Sequence, residues 1–403
     1  MKLHQAYALI YSLFNFFHFH LKNSIIVILT TFLIISLAIA PVIVSSNRFA
    51  FLDNTKISRN PSLDGLRYLM ASLVVFHHSG FFASYFTTGK WSLNSALLMY
   101  IGKFGVYIFF TISAFLFWGK TGCSDKKINW ISLYINRFFR IAPLQFFCSA
   151  VSIIIILYFS GFPWRNNIHI LDIIPWFDAG MFNVRPDINE YYKSRVVMAG
   201  VTWTLQYEWL FYFSLPFLFL LKKAALPVAT LSFIVFLFAP VDSKTQYVFS
   251  LLSCFACGVI CQEMHKRIRV TKGIAELVLI LSIASLIFFQ PSIRNGQASV
   301  FCGVILYAVV NGASLFGLLS NKGTTRLGEV SYSIYLMQGI IFYTLFKIVS
   351  INGVKIEIFS ISYYACSFIA FLLLTSISVL TFRFIEKPAM ELGYKLTSAK
   401  KHR

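Results

Sequence analysis

Residues 63–80 read LDGLRYLMASLVVFHHSG, an apolar stretch that carries Arg67 and His78 eleven positions apart. At about 100° and 1.5 Å per residue, eleven helical steps return to within roughly 20° of the starting direction and climb about 16 Å. Arg67 and His78 therefore share a helix face, with Asp64, Ala71 and Val74 on the same stripe, while His77 points about 80° away and is expected outside it. Ionisable residues inside a membrane span face a bundle interior or a wet pathway and mark function by default. A basic anchor at the membrane edge followed by a hydrogen-bonded core histidine would give the same spacing.

Working outward, composition sets the class. The chain is 58% hydrophobic and 12% charged, with 44 Phe. So much apolar surface requires a lipid bilayer around it, and the reading is an all-α, polytopic membrane protein. A formal charge of +20 would suit nucleic acid, but the basic residues gather in short loops between apolar runs, the pattern of cytoplasmic loops, so no nucleic-acid partner is expected. Seven cysteines, at 123, 148, 254, 257, 261, 302 and 366, lie mostly within apolar runs and lack zinc or disulfide-framework spacing. Cys254, Cys257 and Cys261 share a face and read as small apolar packing, and no metal site is expected.

An apolar run over 24–44 is too long and starts too late for a cleaved signal peptide, and reads as an extra N-terminal transmembrane helix. A basic linker over 47–63 ends in Asn60-Pro61-Ser62, a helix entry for which Ser62 or Asp64 is the expected cap. After the Arg67 helix, apolar runs follow near 96–118, 141–162, 201–221, 224–240, 245–264, 274–290, 298–320, 330–350 and 358–385. That gives eleven candidate spans, ten without the first. Alternate loops, taken from the 47–67 linker to the C-terminal tail, hold 22 Lys and Arg, and the opposite set holds 10. The bias places Arg67, the loops at 119–140 and 265–273 and the C-terminus in the cytoplasm, and turns the 163–200 loop outward.

Within these runs a few polar residues stand out. Ser113 interrupts the aromatic wall GVYIFFTISA, although a lone serine in a span usually bonds its own backbone. Arg137 and Arg140, in RFFRIAP at the expected start of a helix, are i, i+3 neighbours whose guanidinium groups suit phosphate, or simply anchor the chain at the headgroups. VTWTLQYEWLFY places Trp203 at the head of an apolar run and Glu208 well inside it, where an unpaired carboxylate costs several kcal/mol and must be protonated, paired or wetted. GEVSYSIYLMQ, with Tyr332 and Gln338, opens another apolar helix, and Glu386 in IEKP reads as an interfacial cap.

Taken in order, LDGLR with a histidine eleven residues beyond its arginine, GVYIFFTISAFL, RFFRIAP, WTLQYEWLFY, GEVSYSIYL and IEKP resemble acyltransferase family 3, across about residues 60–390. These are integral membrane acyltransferases that decorate cell-surface polysaccharides. The resemblance implies a ten-helix acyltransferase domain over 61–390, preceded by the extra helix and linker at 1–60 and followed by a basic tail at 391–403. It implies an O-acetyltransferase that takes acetyl from acetyl-CoA, or another acyl-CoA, on the cytoplasmic side of a bacterial inner membrane. The acceptor would be a sugar hydroxyl of O-antigen, lipopolysaccharide, capsule or a lipid-linked sugar. On this resemblance Arg67 and His78 match the essential arginine and histidine of the first family helix, and Arg137 and Arg140 match the paired arginines after the second. Trp203 and Glu208 match the WSLxxE pattern, with Thr204 for its serine. Ala114 stands where glycine is usual and Gln338 where the family often has histidine, which leaves the role of that position open.

The expected chemistry follows from these residues and the resemblance together. Histidine serves near neutral pH as a base toward a hydroxyl or as an acyl carrier. Arg137 and Arg140 would bind the anionic donor, Arg67 would orient it, and His78 and Glu208 would act at the reacting groups, supported by Asp64, Ser113, Trp203 and Tyr332. Asp172, Asp178, Asp187 and Glu190 in the outward loop are candidates for acceptor recognition, unless that loop is a folded cap with a re-entrant turn at 168–183. A transporter or flippase with a cationic vestibule would use the same buried Arg, His and Glu, though no inverted repeat is evident. A relay subunit serving a separate extracytoplasmic transferase is a third alternative, since some relatives carry a fused hydrolase-like domain that completes transfer.

Overall fold

Asn60 starts the helix that organises the bundle. Its side chain accepts from the backbone N–H of Ser62 (3.0 Å) and Leu63 (3.3 Å), Pro61 fills the first helical position, and the helix α2 runs Pro61–Thr88 to a left-handed Gly89. The cap is therefore Asn60, not Ser62 or Asp64, because proline at the first position leaves only the residue before it in the extended geometry a cap needs. The computed structural model describes residues 24–53, 60–122, 128–161, 169–289, 292–293 and 296–399. Residues 1–23, the middle of the basic linker (54–59), Cys123, the start of the outward loop and the last four residues lie outside them.

Every apolar run becomes helix, and no strand occurs among the described residues. In chain order these are α1 (Ser24–Val44), α2, α3 (Ala96–Thr121), α4 (Trp130–Ser160), α5 (Trp203–Leu220), α6 (Ala225–Phe238), α7 (Ser243–Arg267), α8 (Lys272–Phe289), α9 (Gln297–Val310), α10 (Lys322–Glu329), α11 (Ser331–Ile351), α12 (Ile361–Thr381) and α13 (Lys387–Ala399). Seven helices among the described residues are long and apolar enough to cross a membrane. The other runs differ from straight spans: α5 and α6 meet at 91°, and α1 and α9 present only short apolar stretches. The α5–α6 break falls at Lys222 and Lys223, two charges that cannot continue an apolar helix. Helix α9 stops at Val310, ten residues short of the expected end. Asn311 and Gly312 break it there, and Glu276 of α8 accepts from the N–H of Ser314 (2.8 Å) and Phe316 (2.7 Å), holding the chain in turns. Helix α4, conversely, begins eleven residues earlier than its apolar run, capped by Asn129.

Helix α2 packs against α1, α3, α9, α10, α11 and α12. Its approach to the turn before α10 requires Gly65: a Cβ there would lie 1.8 Å from the Leu319 carbonyl oxygen. Small residues at such crossings are how spans pack when no water drives them together. The cysteines follow the same logic. The six described are all buried and free, and the Cys257 sulfur sits where a side chain at residue 303 would be.

Helix α1 belongs to this packing. The Tyr68 hydroxyl donates to the Leu37 carbonyl (3.1 Å), and Arg326 of α10, only 2% exposed, reaches the segment after α1. Its guanidinium donates to both Asp53 carboxylate oxygens (2.6 and 2.8 Å) and to the carbonyls of Val44, Ser45 and Ser46. Those bonds from Arg326 hold the Asp53 carboxyl below its ordinary value of 3.8, against a weaker opposing effect of burial. A depressed carboxylate contributes stability that is present above its unfolded pKa and lost as pH falls through the folded one. The clamp is thus intact at neutral pH and is expected to release only in acid below about 4. Limited proteolysis after Val44, compared at pH 7 and in acid and with Asp53→Asn, checks this: both acid and the variant should raise cleavage there.

The 169–202 segment folds into the bundle rather than standing over it. A single turn (Ile170–Ile173) and a 3-10 turn (Ile174–Phe177) bury Trp176 completely, and its carbonyl accepts from Gln145 (2.7 Å), halfway along α4. Ile170, Leu171, Ile174 and Phe182 turn apolar faces outward. The segment is a folded cap rather than an open loop. Asp178 pairs with Arg185 (2.6 Å) and accepts from the N–H of Gly180 and Phe182, and Asp187 accepts from the N–H of Lys193 and Ser194. Both carboxylates hold the loop's own backbone, which removes them as free acceptor-recognition groups.

Candidate functional site

The stripe expected on α2 forms two polar centres, one near each half of the helix. In the second half, His77 and His78 both line a small cavity of about 50 Å3 with Val74, Gly102, Lys103, Val106, Tyr107, Trp203, Tyr247 and Tyr335. His77 was expected to point away. It lines the cavity because the wall lies between α2 and α3, so two adjacent residues reach it from one side each. Their rings meet edge to face at 4.9 Å, and the His77 Nδ1 lies 2.8 Å from the Leu98 carbonyl. Gly102 makes room for this, since a Cβ would come within 2.2 Å of the His77 ring.

His78 has a defined tautomer. Its Nδ1 lies 3.0 Å from the Val74 carbonyl and 3.1 Å from the Gln338 Oε1. A carbonyl only accepts, so Nδ1 carries the proton. The Gln338 amide is itself oriented, because its Nε2 donates to the Tyr335 carbonyl at 2.7 Å and turns the oxygen toward the histidine. Nε2 of His78 is then the basic nitrogen of a neutral ring. Gln338, fully buried on α11, supplies a fixed acceptor rather than a second titrating group. Thr204 keeps the hydroxyl of the serine it replaces and uses it on the Tyr335 hydroxyl, 3.0 Å away.

Gln338→Leu is expected to lower activity roughly 10-fold, because the loss of one buried hydrogen bond worth about 1–2 kcal/mol frees the ring to rotate or change tautomer. The check is rate against pH with protein level normalised: Gln338→Glu, which keeps an acceptor, should retain more activity than Leu.

Toward the N-terminal end of α2 the polar residues fall into clusters. Asp64, 4% exposed, pairs with Arg67 at 3.6 Å. Glu208, half-buried on α5, accepts from the Ser113 hydroxyl (3.1 Å) and the Tyr212 hydroxyl (3.1 Å). Tyr212 is also hydrogen-bonded by Arg137, and the charges of Arg137 and Arg67 act on the Glu208 carboxylate. Ser113 therefore bonds a catalytic-site candidate, Glu208. Glu208 lies with the arginines, not with His78.

Arg140 departs furthest from expectation. With Arg137 it sits inside α4, two to three turns from the Asn129 cap, rather than at a helix start. Its Nη1 pairs at 2.8 Å with Glu386, 1% exposed, which also accepts from the Ser333 hydroxyl. Thr381 donates onward to Ser333 (3.0 Å). Glu386 is not an interfacial cap. A single π turn at Phe382–Glu386, between α12 and α13, swings it inward, as π turns often do at functional positions. Arg140 also stacks over Tyr332, whose hydroxyl donates to the Ile141 carbonyl (2.8 Å), tying α11 to α4. Arg137 lies over the Phe117 ring, 4.7 Å from its centre.

Sequence reading missed Glu386 as a partner, His77 as a cavity wall and Gln338 as the tautomer anchor. The available signal in each case was a polar side chain within an apolar run, which needs a partner somewhere.

No curated protein and no solved structure gives a significant match to this sequence. A family profile described as an acyltransferase domain matches residues 60–380, a range that begins at the Asn60 cap and takes in both polar centres on α2. The chain belongs to acyltransferase family 3.

Proposed function

We propose that this membrane acyltransferase moves an acetyl group from acetyl-CoA to a sugar hydroxyl of a cell-surface glycan, with the arginine-rich end facing the cytoplasm. The observation that carries the reading is the fixed tautomer of His78, which leaves Nε2 basic on a ring that lines a small, tyrosine- and tryptophan-lined cavity. Such a nitrogen takes the proton of a hydroxyl as its oxygen attacks the thioester carbonyl. Collapse of the tetrahedral intermediate breaks the carbon–sulfur bond, and the imidazolium returns the proton to the leaving thiolate. An ester and the free thiol result, with no other reactant.

The donor end of this reading rests on Arg137 and Arg67, whose charges act on Glu208 and which suit the phosphates of the donor's nucleotide portion. From Arg67 to His78 is about 16 Å along α2. An extended pantetheine arm, not a phosphate, has to cover that distance, and this separation suits a donor bound on one side and an acceptor on the other. The loop-charge bias supports a cytoplasmic donor side and C-terminus, in a bacterial inner membrane. In this reading Asp64 orients Arg67, Ser113 orients Glu208, Trp203 lines the acceptor cavity and Tyr332 steadies Arg140.

The test is mass spectrometry and NMR of surface glycans from cells with and without the chain, together with transfer of labelled acetyl from acetyl-CoA by the purified protein in liposomes. Loss of an O-acetyl signal on deletion, with labelled product in liposomes, supports the reading. An unchanged acyl pattern alongside altered export of an intact glycan would replace it with transport.

A further inference from the structure

A base at His78 moves the proton of the attacking hydroxyl but does nothing for the negative charge that gathers on the thioester oxygen, which a buried site stabilises with fixed donors. The cavity is small, about 50 Å3, so each side chain that lines it lies close to whatever reacts there. Most of its donors are already committed. The Tyr107 hydroxyl donates to the Ile293 carbonyl (2.9 Å) and meets the Ser250 hydroxyl, and the Tyr335 hydroxyl donates to the Val201 carbonyl (3.2 Å). His77 gives its Nδ1–H to Leu98, which leaves Nε2 only an acceptor, and Lys103 is engaged elsewhere in the protein. Two side-chain donors remain. The Tyr247 hydroxyl and the Trp203 Nε1–H have no hydrogen-bond partner among the described residues. Their rings lie side by side, 6.4 Å between centres, and the electrostatic influence of Tyr247 reaches the phenols of both Tyr107 and Tyr335. Tyr247 is also held in place: Ser250 donates to its carbonyl (2.6 Å) while meeting Tyr107, which ties this turn of α7 to α3.

We propose that Tyr247 is a catalytic residue: its hydroxyl donates a hydrogen bond to the thioester carbonyl oxygen as that oxygen becomes negative, with the Trp203 Nε1–H as the second donor. When the acceptor oxygen bonds to the carbonyl carbon, the π pair of the C=O bond moves onto oxygen and His78 takes the hydroxyl proton. Tyr247 keeps its own proton throughout. Re-formation of the C=O bond then expels the thiolate, which takes the proton back from His78, and the two donors release the neutral ester. This rests on the acyl-transfer reading and adds to it the group that stabilises the intermediate.

The test uses purified protein in liposomes with labelled acetyl-CoA and, as acceptor, the surface glycan of the deletion strain de-O-acylated with alkali. Tyr247→Phe removes only an unbonded hydroxyl, so its thermal unfolding in detergent should match wild type. Its kcat is expected to fall about 10^2-fold, the cost of removing one oxyanion donor, while KM for acetyl-CoA and for the glycan stay within about twofold. The pH at which the rate falls off should not move, because the proton still goes to His78. Trp203→Phe should lower kcat in the same way, and the double variant should lower it further. A Tyr247→Phe enzyme with wild-type kcat overturns the inference. So does one whose loss appears as a higher KM for the glycan at unchanged kcat, which would make Tyr247 an acceptor-binding group. Both outcomes leave the transferase reading standing. If the wild-type protein itself forms no labelled ester, the transferase reading fails and the inference fails with it.

Discussion

His78→Ala is expected to abolish acyl transfer, with a fall of at least about 10^3-fold in rate and no change in the amount of protein inserted in the membrane. A positioned general base contributes typically 10^2–10^4-fold, and here both ring orientation and proton location are built in, so the upper part of that range applies. Val74 and Gln338 fix Nδ1–H, and the ring that carries the other nitrogen lines the cavity. The variant deletes a partly buried ring in the middle of α2 without disturbing the Asn60 cap or the Gly65 crossing, so insertion stays intact. His77→Ala is the matched control. It removes a ring from the same cavity, but one whose Nδ1 serves the Leu98 carbonyl, and its effect should be a loss of roughly 10-fold, about a quarter to a third as large on a logarithmic scale. Labelled-acetyl transfer in liposomes separates the two. Equal losses for both variants would mean that the cavity's shape, not the His78 base, is what matters. Normal transfer by His78→Ala would remove the base role altogether.

How much of this was legible in the chain follows from the range of each interaction. The α2 stripe is local: a period of 3.6 residues puts Arg67 and His78 on one face, and the structure keeps them there. The apolar runs are local too, and each becomes helix. What the chain does not display is pairing between distant segments. Nothing near Arg140 announces Glu386, and the π turn that aims Glu386 inward lies at the end of a run that is apolar on most sides, where a one-residue shift in phase is hard to read. The same holds for Arg326, which looks like one more loop cation and is buried on Asp53 and three carbonyls. Periodicity also misleads where a wall lies between two helices. Residue direction on α2 alone sends His77 away from His78, yet the cavity between α2 and α3 receives both. Compensation across an interface is likewise invisible along the chain. Ala114, which stands in place of the usual glycine, is accommodated because the facing residue on α7 is Gly258, where a Cβ would come 2.6 Å from the Ala114 methyl.

Glu386→Gln is expected to be the most destabilising single change at the arginine-rich end, because it leaves Arg140 charged, 14% exposed and without its carboxylate. Breaking a buried pair from one side costs about 3–5 kcal/mol, whereas replacing both members with neutral groups is often close to neutral. The double variant Arg140→Gln/Glu386→Gln should therefore recover most of the thermal stability lost by Glu386→Gln, a non-additive outcome expected only for residues in contact. Thermal unfolding of the protein in detergent gives all three values. The same set decides what Arg140 does in the reaction. The ion pair ties α4 to the π turn between α12 and α13, and Ser333 and Thr381 extend it into α11 and back to α12, so an architectural role is already sufficient to explain its burial. If Arg140 also touches the donor, the double variant regains stability but not activity, and its dependence on acetyl-CoA concentration shifts. If the pair only locks the bundle, stability and transfer return together, and donor binding rests with Arg137 and Arg67.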